Sequence, residues 1–238
     1  MLEIEAIDTW RGPAQILRKV SLTVGSRESV CLVGRNGAGK TTTIDSIIGL
    51  LPVGSGKVVF QGRDIGRLPP HHRARLGIGY APEDAGLFTD LTVAENFQVC
   101  RWMAESSGRA GQASEEETER RIFAVFPEVG QFMQRRCLHL SGGEKKMVAV
   151  ARAMALSPAI LLLDEPFEGL APVVVTRFVD AVKKIKEMGI SILIAESHLA
   201  NATRVADRLY AIDRGEIIYQ GDPQEVLRNE DVMKMLRG

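Results

Sequence analysis

The sequence predicts an α/β fold: a central, mostly parallel sheet with an antiparallel β part and an inserted helical subdomain. Three observations carry that prediction. The runs "SVCLV", "AILLL" and "SILIA" are apolar throughout, as strands buried on both faces are. After Pro158, strand-like and helix-like segments alternate, which implies crossover connections. Residues 88–156 carry helical spacing instead, between a core expected from residues 1–87 and 157–238.

Taken in order, "LEIEAI", "VSLTV", "SVCLVG" and "GKVVFQG" read as strands. Only "TTTIDSIIGLL" interrupts them, with helical spacing and Pro52 just beyond. "IGYAP" is a short strand stopped by proline. "LTVAENFQVCRWMAE" starts a helix with Thr92 as N-cap and Glu95 at N3. "EEETERRIFAVF" opens a second with acids in its first turn, where the helix dipole favours them. Between them "SSGRAGQAS" (Ser106–Ser114) reads as a flexible, surface-exposed joint. Beyond Pro158 come the strand "AILLLDEP", the helix "VVVTRFVDAVKKIKEMG" with Gly189 as C-cap, and the strand "ISILIAE". The helical "ANATRVAD" and the strands "RLYAID" and "EIIYQG" follow, and Asp222 caps a final helix with Pro223 at N1.

The 238 residues suffice for one large domain or for one with a subsidiary lobe. Thirty basic residues balance thirty acidic ones, so no global field favours nucleic acid, and none is expected as a partner. Cys31, Cys100 and Cys137 lack metal spacing and read as buried apolar residues of a cytosolic protein. The start of the chain has no basic, apolar leader pattern, and the longest apolar runs are far below the ~18 residues of a bilayer span. Work at a membrane would therefore need another chain as anchor.

Three short motifs carry chemistry. Gly34, Arg35, Asn36, Gly37, Ala38, Gly39, Lys40 and Thr41, with Thr42 next, match G-x-x-x-x-G-K-[ST] between a strand and a helix. The glycines let successive N–H groups curl into a nest for phosphate oxygens. Lys40 would reach the β- and γ-phosphates, and the Thr41 hydroxyl would hold Mg²⁺. In "LLLDEP" an apolar strand ends in two carboxylates, placing Asp164 near Mg²⁺ and Glu165 beside the attacking water. In "LSGGEKKM" Ser141 and Glu144 form a capping box around Gly142 and Gly143, whose bare amides at a helix N-terminus suit an anion.

The order of these motifs resembles an ATP-binding-cassette nucleotide-binding domain from end to end, which implies a P-loop NTPase of the ABC-ATPase fold. In that family the LSGGQ-like segment, here "LSGGE", binds the γ-phosphate held by a second subunit, so by the resemblance Ser141, Gly142, Gly143 and Glu144 await another protomer's ATP. The resemblance implies an ATPase with ATP and Mg²⁺ as cofactors. It also implies a second ATPase subunit, identical or not, transmembrane permease subunits and, indirectly, a solute-binding protein. The expected location is peripheral, on the cytoplasmic face of the inner membrane. Glu83 stands where most cassettes have glutamine, and Ala171 where most have aspartate. Both departures are similar to the smaller ATPase of branched-chain amino acid and urea or amide importers. By that resemblance Glu83 senses Mg²⁺ and the attacking water.

Two positions stay open. An aromatic residue usually covers adenine near the first turn; here either Trp10 or Arg11 would present a flat face to the base. At "AESHLA", counting back from "RVAD" places Ser197 at the family's switch histidine, with His198 one residue later. His198, whose ring reaches farther, is the expected γ-phosphate contact if the loop shifts; Ser197 is the alternative. Besides a transport motor, a soluble cassette acting on DNA or ribosomes and a nucleotide-responsive assembly protein are open. "LPPHHRAR" reads as a basic docking patch or a solvated loop.

Overall fold

The structure, a computed structural model, describes residues 1–105 and 114–237. The chain begins with β1 (Leu2–Arg11), β2 (Ala14–Val24), β3 (Ser29–Val33), α1 (Lys40–Ile48), β4 (Val53–Phe60), β5 (Arg63–Asp64), α2 (Pro70–Leu76) and β6 (Ile78–Ala81). A helical stretch follows, with α3 (Val93–Glu105), α4 (Glu115–Val125), α5 (Val129–Phe132), a 3-10 turn at Cys137–His139, and α6 (Gly142–Met154). The remainder is β7 (Ile160–Asp164), α7 (Pro172–Glu187), β8 (Ser191–Glu196), α8 (Leu199–Val205), β9 (Arg208–Asp213), β10 (Glu216–Gly221), α9 (Pro223–Val226) and α10 (Glu230–Arg237).

One sheet is antiparallel, in the order β2-β1-β4-β5. Its first strands run farther than the sequence pattern suggests. The reason is a bulge: Ala6 has φ 47°, the register shifts between Ile4 and Ile7, and burial continues at Ile7 and Thr9 in a changed phase. A strict two-residue alternation loses the strand at that point. The second sheet has the order β10-β9-β3-β8-β7-β6, parallel except for β10. Its strands alternate between two cores. Val30 and Leu32 face α1 and the antiparallel sheet, while Cys31 and Val33 face the core shared with α6 and α7. Cys31, Cys100 and Cys137 are all buried free thiols.

The capped helix starts hold. Glu95 N–H donates to Thr92 Oγ1, and Thr92 N–H donates to the Glu95 carboxylate. Ser114 caps α4; the other residues of the expected flexible joint, 106–113, lie outside the described residues. Two helix ends differ from expectation. Met188 is the C-cap of α7, and Gly189, at φ 85°, is the residue after it. The single C-terminal helix is two: Asp222 caps only the short α9, and Asn229 then accepts from Val232 N–H to start α10.

Within "LPPHHRAR" the residues from Pro70 onward belong to α2, and Arg73 is no docking residue. The Arg73 guanidinium is buried and donates to Ser46 O, Ile47 O, Gly66 O and Leu68 O. It thus satisfies the orphan carbonyls and the negative dipole end of α1.

Candidate functional site

Strand order builds the site. β8 lies between β3 and β7, so the loops after all three open on one carboxyl edge of the sheet. At the end of β3 a Cβ on Gly34 would stand 2.4 Å from Ile212 O, so only glycine lets the loop pass β9. Gly39, at φ 115°, is the N-cap of α1 and turns the first amides of that helix outward. A cavity of about 380 Å³ lies before them. Asn36, Gly37, Gly39, Lys40, Thr41 and Thr42 line it from the loop side, Glu83, Glu165 and Glu168 from the other. Arg35 contributes its carbonyl, and Gly34 and Ala38 build the loop beneath.

Lys40 Nζ donates to Gly34 O at 2.8 Å and Arg35 O at 3.2 Å, and lies 3.0 Å from Glu165 Oε1. Both side chains of that ion pair are buried. Asp164, the last residue of β7, accepts from Thr41 Oγ1 at 3.3 Å. Burial pushes the Asp164 carboxyl up to about 6, against the Thr41 hydrogen bond. These two hard oxygen donors converge as a Mg²⁺ ion that keeps water and shares phosphate oxygens requires. Among the described residues no cluster of three or more His, Cys, Asp or Glu side chains is arranged to cage a metal.

Glu165 occupies a left-handed backbone position, φ 46°, with its N–H donating to Ala195 O at 2.9 Å. Its Oε2 accepts from Ser197 N–H at 3.0 Å and Ser197 Oγ at 3.1 Å. Lys146 Nζ donates to its main-chain oxygen. Glu83 stands at the cavity edge, its carboxyl raised by partial burial and then by the neighbouring Glu168.

At the switch position it is Ser197, not His198, that touches Glu165. The expected one-residue shift does not occur, because β8 pairs in register up to Glu196 and His198 is already the N-cap of α8. The His198 ring is mostly exposed, with Nδ1 3.2 Å from Ser197 Oγ and 3.3 Å from Glu196 Oε1. Glu196 is wholly buried, and burial pushes its carboxyl up to about 7. At the other open position Arg11 lines the cavity, held by Asp45 at 2.5 Å and donating to Thr42 Oγ1 at 3.3 Å. Trp10 points the opposite way along the strand and packs on Gly54, where a Cβ would meet its ring at 2.3 Å.

Ser141, Gly142, Gly143 and Glu144 are elsewhere, at the N-terminus of α6 and outside this cavity. Ser141 N–H donates to Glu144 Oε2 at 2.7 Å, Glu144 N–H returns to Ser141 Oγ at 3.4 Å, and Arg135 braces Glu144 at 3.2 Å. A side chain at Gly142 would meet nothing within 4 Å, so the helix entrance is open. Sequence reasoning missed Glu168, Lys146 and Glu196. Glu168 had a signal, a second acid three residues beyond Glu165, and Glu196 directly precedes Ser197; Lys146 is joined to Glu165 only by folding.

Known proteins share this sequence pattern and this fold. Residues 17–168 match the family described as ABC transporter. The chain is 37% identical over 227 residues to the lipopolysaccharide export system ATP-binding protein LptB of Haemophilus influenzae, covering 94% of this chain and 91% of that protein. A nucleotide-free ATP-binding cassette from an ABC transporter superposes with a TM-score of 0.86 at 28% identity, covering 100% of this chain and 99% of the other. A cassette in its ADP conformation gives 0.85 at 28% identity, covering 100% and 98%. Among the described residues no helix is long and apolar enough to cross a membrane.

Proposed function

Since the chain belongs to the ABC transporter family and is an ATP-hydrolysing cassette with the P-loop fold of that family, we propose that it is the motor subunit of a membrane transporter. In this reading two cassettes sandwich two ATP molecules. The observation that carries it is one cavity with Lys40 and Glu165 paired across it and Thr41 and Asp164 converging beside them. The loop amides and Lys40 bind the phosphates, and Arg11 flanks the base. Thr41 and Asp164, with Glu83 at the edge, would hold Mg²⁺, which would neutralise charge on the phosphates. The γ-phosphate competes with Glu165 for Lys40. Once released from that pair, Glu165 accepts the proton of the attacking water, with Ser197 holding its other oxygen.

Ser141, Gly142 and Gly143 present their amides to the partner's γ-phosphate, and residues 88–156 act as a lobe that carries them. Permease subunits hold the cassette peripherally on the cytoplasmic face of the membrane. Nucleic acid has no part in this reading, since charge is balanced over the chain.

Two observations bear on the cargo. Glu83 and Ala171 favour import of branched-chain amino acids or related small polar solutes, with a solute-binding protein delivering them. The likeness to LptB, whose name assigns it to lipopolysaccharide export, supports export of that lipid as a second reading. Stimulation of turnover by one purified permease set and not the other separates them. The motor itself is tested with Glu165→Gln, which keeps nucleotide binding and loses the base, a step worth about 10²–10⁴ in rate. We expect an ATP-dependent dimer by light scattering. A monomer at millimolar ATP, alone and with permease, overturns the sandwich.

A further inference from the structure

Glu165 holds a backbone conformation, φ 46°, that a non-glycine residue keeps only when its surroundings impose it. The structure shows what imposes it. The Glu165 N–H is tied to Ala195 of β8, its carboxylate to Lys40 of α1 and to Ser197 after β8. Its carbonyl is tied to Lys146, which comes from α6. Lys146 follows the Ser141 cap by five positions, about 7.5 Å along the helix axis. The ammonium is half-buried among carboxylates: burial disfavours its charge, and Glu168, Glu196, Glu83 and Glu165 favour it.

The helix whose first amides stand open to an anion is therefore hydrogen-bonded, one turn and a half later, to the peptide that aims Glu165. We propose that Lys146 is a positioning residue that couples occupancy of the α6 N-terminus to the orientation of Glu165 in the same chain. Under the sandwich reading above, on which this rests, the nucleotide of one site sets the base of the other. Any displacement of α6 that follows binding of the partner's phosphate shifts Lys146 and, through the carbonyl, the left-handed turn of Glu165. The ammonium does not touch nucleotide, so its loss falls on turnover rather than on binding.

The test compares Lys146→Met and Lys146→Arg with wild type and with Lys40→Ala, reading kcat, KM for MgATP, the Hill coefficient and equilibrium binding of a fluorescent ATP analogue. Lys146→Met should lower kcat by about 10-fold or more with KM within about 3-fold, and bring the Hill coefficient down towards 1. Lys146→Arg, which restores the donor, should recover kcat to within about 3-fold of wild type. Binding of the analogue should be unchanged in both, which excludes a folding defect. Wild-type kcat in Lys146→Met beside an inactive Lys40→Ala overturns the coupling and leaves the ATPase site standing. Failure of Lys146→Arg to recover kcat also overturns it, as does a KM that rises in step with the fall in kcat. Normal turnover in Lys40→Ala would instead remove the site on which the proposal rests.

Discussion

Lys40 Nζ and Glu165 Oε1 are 3.0 Å apart, each side chain only 5% exposed, so each is the other's principal counter-charge. Removing one partner of a buried pair leaves the other charge uncompensated, which is costlier than the pair's net worth.

Lys40→Ala therefore has two effects of different origin. The β- and γ-phosphates lose a charge-assisted contact, so affinity and turnover fall together. Glu165 is also left as a buried carboxylate without its cation, and the protein loses roughly 3 kcal/mol in urea unfolding. The double variant Lys40→Ala/Glu165→Gln should recover most of that stability and none of the activity. Equal stability of the single and double variants counts against the pair.

The contacts of Glu165 Oε2 separate the two switch residues. Ser197→Ala removes a hydrogen bond to an ionised oxygen, worth about 1.5–3 kcal/mol, and should lower turnover by roughly 10-fold or more at saturating ATP. His198→Ala, losing an exposed ring, should stay within about 3-fold of wild type. The reverse ranking would return the switch role to His198.

Glu196 gives the protein a pH signature. Its carboxyl titrates near 7 when folded, above the ordinary glutamate value of 4.5, because burial disfavours the charge. Between those values the folded state holds a proton that the unfolded state has released, so stability from this group falls as pH rises from about 4.5 to 7 and is flat above. Glu196→Gln keeps an acceptor for the His198 N–H and removes the titration. Relative to wild type, the variant should gain stability between pH 5 and 7.5, read as a Tm difference. A constant difference across that range shows that Glu196 ionises alike in both states.

Arg73→Met leaves the carbonyls of Ser46 and Ile47 at the end of α1 without their shared donor. Loss of that cap and of the contacts to Gly66 and Leu68 should cost about 2–4 kcal/mol by chemical denaturation. Loss of less than 1 kcal/mol would mean water replaces the guanidinium.

What the sequence disclosed follows the range of the forces involved. The phosphate loop, the "LLLDEP" strand and the Ser141–Glu144 box were legible because each is complete within a few consecutive residues. Helix ends drifted by a residue or so, since Gly189 carries the positive φ but not the cap itself. The long reach of β1 was hidden by a bulge at Ala6, which breaks the alternation that identifies strands. Arg73 looked like a solvated charge because nothing nearby in sequence reveals carbonyls converging from Ser46 to Leu68. Ser197 and His198 were undecidable without strand register: only the pairing of β8 with β3 and β7 fixes which residue follows the sheet.

Trp10, set aside as a cover for the base, acquires another use from its packing on Gly54. The chain has two tryptophans, and the other, Trp102, lies on α3 with 59% of its surface exposed. Trp102→Phe would leave a single indole, partly exposed and one residue from the Arg11 that borders the cavity. Its emission becomes an internal optical gauge of that border: ligand entry that pulls Arg11 from Asp45 moves the adjoining strand, changes the packing of the Trp10 ring on Gly54 and shifts its fluorescence, without any attached dye.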